Sequence, residues 1–166
     1  MRILAIDPGC EKSAYVIVVD GNPVTGDKIG NAELLARLAE YRQRVDRCVI
    51  EMIASYGMAV GKEVFETVVF IGRLMERWEA TAGFPADRLY RRDVKLAICH
   101  HARATDSNIR TELVDRFGPG KEKAIGSKGA PGPLYGYKAD VWAALALAIT
   151  FGELQASSNG NIKAAP

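Results

Sequence analysis

The chain has 166 residues, 48% of them hydrophobic and 25% charged, with a net charge of +2. That length and balance fit one globular domain with a sizeable core and exclude a low-complexity or highly charged disordered chain. No apolar run approaches the roughly 20 residues that a membrane span requires. The N-terminus runs into an apolar strand with no basic segment and small-residue cleavage pattern, so no signal peptide is expected.

Residues 2–7, RILAID, predict a fully buried strand, and the β-branched run at 12–19 predicts a second. Asp20-Gly21 is a hairpin turn signal leading to a third strand near 22–29. Asn31 is placed to cap a helix over about 32–43, with Leu34, Leu35, Leu38 and Tyr41 at helical spacing. A strand at 47–53 and a loop from Tyr56 to Gly61 come next. An amphipathic helix over 62–81 follows, its apolar stripe being Val64, Val68, Ile71, Leu74, Met75 and Trp78. Beyond the Gly83-Phe84-Pro85 break, the pattern predicts a short strand at 88–91 and a short helix at 94–101. A further helix capped by Thr105 or Asp106 has Ile109, Leu113, Val114 and Phe117 inward. Residues 118–137, rich in glycine and proline, predict a flexible basic loop. The last helix, about 138–154, is apolar nearly all round, which predicts burial, and 156–166 predict a disordered tail. Trp78 and Trp142 are assigned to the core.

Charge and cysteine usage narrow the chemistry. From Arg88 to Lys138 there are eleven Lys or Arg and five acids, a local balance of +6 against −4 elsewhere. This suits a protein that holds a polyanion, although a solvated charged face would look the same. Cys10, Cys48 and Cys99 are odd in number and scattered, with no CxxC, which points to a reduced, cytoplasmic protein without structural zinc. Cys99-His100-His101 is assigned a surface or core role, because adjacent histidines on a helix point apart.

Three carboxylates stand out. Asp7 ends the first strand and precedes Pro8-Gly9, Glu51 interrupts Val49-Ile50-Glu51-Met52-Ile53, and Asp140 opens the apolar final helix. Singly, Asp7 could be a turn residue and Asp140 a helix cap. An isolated carboxylate in an apolar setting is costly, so such groups are paired or bind a metal. Three converging from two strands and a helix would make an oxygen-rich site for Mg²⁺ or Mn²⁺.

The combination of Ile6-Asp7-Pro8-Gly9 with Ser13, Val49-Ile50-Glu51, and Ala139-Asp140 before Ala144-Leu145-Ala146-Leu147-Ala148 resembles the RuvC-type Holliday junction resolvases. The likeness is greatest to the shorter phage and prophage versions, within the ribonuclease H-like superfamily. It runs along most of residues 1–155. The resemblance implies an α/β nuclease domain over 1–155: a ribonuclease H-like mixed sheet of about five strands, an antiparallel hairpin then parallel strands, with helices on both faces. It implies a metal-dependent crossover junction endodeoxyribonuclease that hydrolyses phosphodiester bonds in Holliday junctions or other branched DNA during recombination and repair. The same resemblance implies a homodimer, for which the helix at 62–81 is the natural contact unless it only covers the sheet. Asp7, Glu51 and Asp140 would hold two Mg²⁺ ions, Mn²⁺ substituting, and Lys138 would assist catalysis. DNA would be held by Lys12, Tyr56, Arg91, Arg92, Lys95, Arg103, Lys121, Lys123 and Lys128, with Tyr56 stacking on bases.

Two positions depart from the family pattern. A further acid is usual one helical turn after Asp140, where this chain has Ala143. A lysine is usual at the start of the helix where this chain has Asp106. The first departure keeps an alternative in view: a branched-DNA-binding protein with weak or no nuclease activity.

Overall fold

The computed structural model describes residues 1–55, 57 and 59–162, and side chains as far as 158. Tyr56, the expected base-stacking residue, lies outside the described residues. Five strands form one mixed sheet in the order β3-β2-β1-β4-β5. β1 (Arg2–Asp7) pairs antiparallel with β2 (Lys12–Val19), which pairs antiparallel with β3 (Asn22–Gly30). On its other side β1 runs parallel to β4 (Arg47–Met52), and β4 parallel to β5 (Asp87–Tyr90). Asp20 and Gly21 have φ of 48° and 81°, the left-handed pair that a two-residue hairpin turn requires.

Side chains alternate across a strand, and β1 divides the core accordingly. Leu4 and Ile6, with Ile50 of β4, face α1 (Asn31–Arg44) and α2 (Lys62–Ala82) through Leu34, Leu38, Ile71, Leu74 and Trp78. Ile3 and Ala5, with Val49, face α3 (Arg91–Cys99), α4 (Asp106–Phe117) and α6 (Val141–Ile162). α6 is the central helix of that face. Its run from Val141 to Phe151 is buried throughout, which explains why it is apolar all round. Trp78 and Trp142 are both in the core, as expected.

At the amino-terminal edge of the sheet, charges are well paired. Arg47 donates to both carboxylate oxygens of Asp87 at 2.7–3.0 Å, and Arg2 donates through its backbone and guanidinium to Asp46.

Four expectations are corrected. Asn31 is the first residue of α1 rather than its cap, which is Gly30. In α2 the buried face is Thr67, Phe70, Ile71, Leu74 and Trp78, and Val68 turns outward with Phe65 and Val69. Residues 118–137 contain the short helix α5 (Lys121–Ala124) and the small hairpin of β6 (Gly126–Ser127) and β7 (Ala130–Pro131). A Cβ at Gly132 would lie 2.3 Å from the Lys123 carbonyl oxygen, so glycine there serves close packing. Leu134 anchors the segment, buried and donating its backbone N–H to the Ala124 carbonyl. Finally, α6 continues to Ile162 instead of giving way to a tail at 156. The Ser157 and Ser158 hydroxyls donate back to the Glu153 and Leu154 carbonyls. Among the described residues no helix is long and apolar enough to cross a membrane.

The approach of α6 to the sheet depends on Gly26 of β3. A Cβ there would lie 2.9 Å from Val16 Cγ2, 3.0 Å from the Tyr15 carbonyl oxygen and 3.1 Å from Val141 Cγ1. Gly26→Val is therefore expected to destabilise the protein by about 1–3 kcal/mol through overpacking, read as a lower midpoint in urea unfolding with an unchanged m-value.

Candidate functional site

Strand register brings the first two acids together. Ile6 of β1 lies opposite Ile50 of β4, so Asp7 and Glu51 follow side by side at the carboxyl ends of adjacent parallel strands. By alternation both point to the α6 face, with Ala5 and Val49. The third acid, Asp140, immediately precedes α6. Ala139 before it has φ of 41°, a left-handed conformation that a non-glycine residue adopts at a cost of order 1 kcal/mol. This sharp entry delivers Asp140 to the strand ends.

The turn after Asp7 is held by a polar lock. Ser13, fully buried, accepts from the Gly9 backbone N–H at 3.2 Å and donates to the Asn31 side-chain oxygen at 2.8 Å. The Asn31 amide in turn donates to the Gly9 and Cys10 carbonyls. Only glycine fits at position 9, because a Cβ would lie 2.4 Å from the Lys12 carbonyl oxygen.

Asp7, Glu51 and Asp140 line one open cleft of about 400 Å³, together with Arg91, Asp106, Ala143 and the flank of Trp142. Asp7 and Asp140 also line an adjoining cleft with Lys12 and Lys28. Burial, with Glu51 and Asp140 nearby, pushes the Asp7 carboxyl from its ordinary 3.8 up to about 8. Burial also raises Glu51, which is 8% exposed, although the Arg91 guanidinium beside it opposes the shift. Two cations offset the acids. Lys28 pairs with Asp140, and Arg91 reaches toward Glu51 at 3.6 Å while donating to Asp106.

Lys28 was missed in the sequence because its role comes from register. Asp7 lies opposite Ala14, and Ala14 opposite Lys28. The three form one row across the sheet, with only a methyl side chain between the carboxylate and the lysine. Asp106, unexpected as a site residue, is the partner of Arg91. Of the residues expected to act here, Lys138 is exposed and lines neither cleft. Lys12 and Arg91 do line them. Arg92, Arg103, Lys121, Lys123 and Lys128 are exposed, and Lys95 is half-buried, all outside the two clefts.

The donor chemistry fits a hard divalent cation. Three carboxylates face one cleft, and Glu51 Oε2 is buried without a hydrogen-bond partner, a group that a cation would satisfy. Among the described residues, no three acidic, histidine or cysteine side chains stand close enough together to enclose a metal. In this arrangement Lys28 and Arg91 lie beside the two outer acids, Asp140 and Glu51.

A pH signature follows from the raised Asp7. The folded chain holds that proton more tightly than the unfolded chain, so the metal-free protein loses stability as pH rises from about 4 to about 8. Asp7→Asn, which imitates the protonated acid, is expected to be indistinguishable from wild type near pH 4. By pH 8 it should be more stable by on the order of 1–3 kcal/mol, several degrees in Tm. Thermal melts in EDTA across that range check this, and a pH-independent difference would contradict it.

No family model matches the chain, and no curated protein matches it. Solved structures do, among them two of RuvC. The RuvC structure from Thermus thermophilus superposes with a TM-score of 0.71 at 19% identity, covering 95% of this chain and 97% of that one. T. thermophilus RuvC in complex with a Holliday junction substrate gives the same TM-score and identity, covering 95% and 96%. The mixed five-stranded sheet with helices on both faces is thus the ribonuclease H-like α/β fold of RuvC.

Proposed function

We propose that this chain is a metal-dependent, structure-specific endonuclease that hydrolyses phosphodiester bonds in Holliday junctions or related branched DNA. The observation that carries this reading is the convergence of Asp7, Glu51 and Asp140 on one cleft at the carboxyl ends of the strands. A RuvC-like fold along nearly the whole chain, one neighbour being a complex with a Holliday junction substrate, supports the choice of DNA.

Each carboxylate has a distinct place in the reading. Asp7, between the other two on the central strand, would ligate Mg²⁺ or Mn²⁺ at the heart of the cleft. Glu51 would hold an ion on the Arg91 side, and Asp140 on the Lys28 side. Bound divalent cations supply a water activated near neutral pH and charge stabilisation for the departing oxygen. The buried strands and the Ser13–Asn31 lock hold the acids in place before substrate arrives, the preorganisation such a site needs. The exposed cations Lys121, Lys123, Lys128, Arg92 and Arg103 would contact DNA backbone farther out, through interactions that weaken with salt and carry no sequence preference.

Purified protein is expected to make paired nicks in a labelled four-way junction in Mg²⁺ or Mn²⁺, and to leave a matched linear duplex intact. Asp7→Asn and Glu51→Gln should each reduce cleavage at least about 100-fold while junction binding persists. Tight binding without cutting in either metal would instead support the second reading, a junction-binding protein with weak or no nuclease activity. Ala143 and the pairing of the outer acids with Lys28 and Arg91 favour that reading. In that case Ala143→Asp, which adds a carboxylate to the cleft wall, should raise cleavage markedly.

The outward face of α2 supports a homodimer, which in this reading would work in the cytoplasm and cut two strands. Phe65 is 62% exposed and Val69 66%, with Val68 beside them, an apolar strip that a second copy would cover under two-fold symmetry. Phe65→Glu is expected to convert a dimer into a monomer in analytical ultracentrifugation, with a Tm that no longer rises with protein concentration and an unchanged far-UV circular dichroism spectrum.

A further inference from the structure

The cleft wall beside Glu51 holds a pair of groups that no described residue closes with a hydrogen bond. Arg91 Nη1 and Glu51 Oε2 are both buried, both without a hydrogen-bond partner, and 3.6 Å apart. That separation is too long for a hydrogen bond, and a guanidinium N–H left unsatisfied away from water is costly. Asp106 accepts from Nη2. Its side chain is 80% exposed against 26% for Arg91, and a pair so open to solvent contributes about 1 kcal/mol or less. Its effect is to fix the plane of the guanidinium. Among the described residues lining this cleft, Arg91 is the one cation, set amid Asp7, Glu51, Asp106 and Asp140. A guanidinium held in a cleft wall, its Nη1 shielded beside Glu51 and not engaged in a hydrogen bond, suits an oxyanion, since its planar fork matches phosphate geometry.

Resting on the nuclease reading, we infer that Arg91 grips a non-bridging oxygen of the DNA phosphate bound beside the carboxylates. Asp106 is its positioning residue, holding the guanidinium in the cleft wall through Nη2 from the start of α4. The site thereby counters the repulsion that three acids exert on an approaching phosphate, with a cation delivered by the β5–α3 junction.

The test measures four-way-junction binding across a salt series in EDTA, and cleavage in Mg²⁺, for wild type, Arg91→Gln, Arg91→Lys and Asp106→Asn. Arg91→Gln keeps an amide that can donate to Asp106 but removes the charge. Its plot of log K against log salt should be shallower by about one, the loss of one phosphate contact, and Arg91→Lys should regain that slope. Cleavage should fall about 100-fold in Arg91→Gln. Asp106→Asn should cost about tenfold alone and nothing further in the Arg91→Gln background, because it acts through Arg91. If Arg91→Gln fails to fold, Arg91→Lys decides: cleavage at least tenfold down at unchanged slope supports the role of the fork, and wild-type cleavage overturns it. Equal slopes for wild type and Arg91→Gln would overturn the phosphate contact and leave the nuclease reading standing. A slope difference with no cleavage by wild type in any metal would keep the contact and sink the nuclease reading.

Discussion

Holding Asp7 and Glu51 largely out of water, with Asp140 nearby, is the constraint around which the candidate site is organised. Burial and neighbouring acids raise the energy of a charged carboxylate, and the chain sets Asp7 beside Glu51 through the parallel pairing of β1 with β4. The groups adjoining the site bear on that cost. Lys28 reaches across Ala14 to Asp140, Arg91 approaches Glu51, and the Ser13–Asn31 lock keeps the loop after Asp7 from moving away. The folded core supplies the free energy that holds the acids in place, chiefly through the apolar burial of α6 against the sheet.

The two cations are not equivalent. Lys28 sits on an exposed strand and presents a mobile point charge, so its pairing with Asp140 is open to exchange. Arg91 is more deeply set, and its planar group is oriented by a second acid. A lysine suits a position that must give way, and an arginine suits one that must keep a fixed geometry. The asymmetry gives the cleft a soft side and a rigid side.

Much of this was legible in the sequence, for identifiable reasons. The apolar runs of β1, β2 and β4, the Asp20-Gly21 turn and the uniformly apolar α6 each have one dominant physical signal. The three acids were conspicuous because each interrupts or ends an apolar segment. Lys28 was not legible, because nothing local distinguishes it from any exposed strand lysine. Its role depends on the Asp7–Ala14–Lys28 row, which exists only once three strands are in register. Asp106 was read as a cap or a missing lysine, since its partner lies 15 residues away on another helix. The segment 118–137 was misread because glycine marks both flexibility and close backbone packing, and Gly132 is there for the second reason.

The pairing of Arg47 with Asp87 lies at the opposite edge of the same sheet. The six residues of β1 separate the two edges by roughly 20 Å at about 3.3 Å per residue, well beyond the ~8 Å over which exposed charges are felt in physiological salt. The molecule is thus electrostatically polarised along its strands, with satisfied pairs at one end and crowded acids at the other. Changes at the two ends should combine additively. The amino-terminal edge can therefore absorb stabilising substitutions that compensate for the energetic cost of the cleft without altering its chemistry.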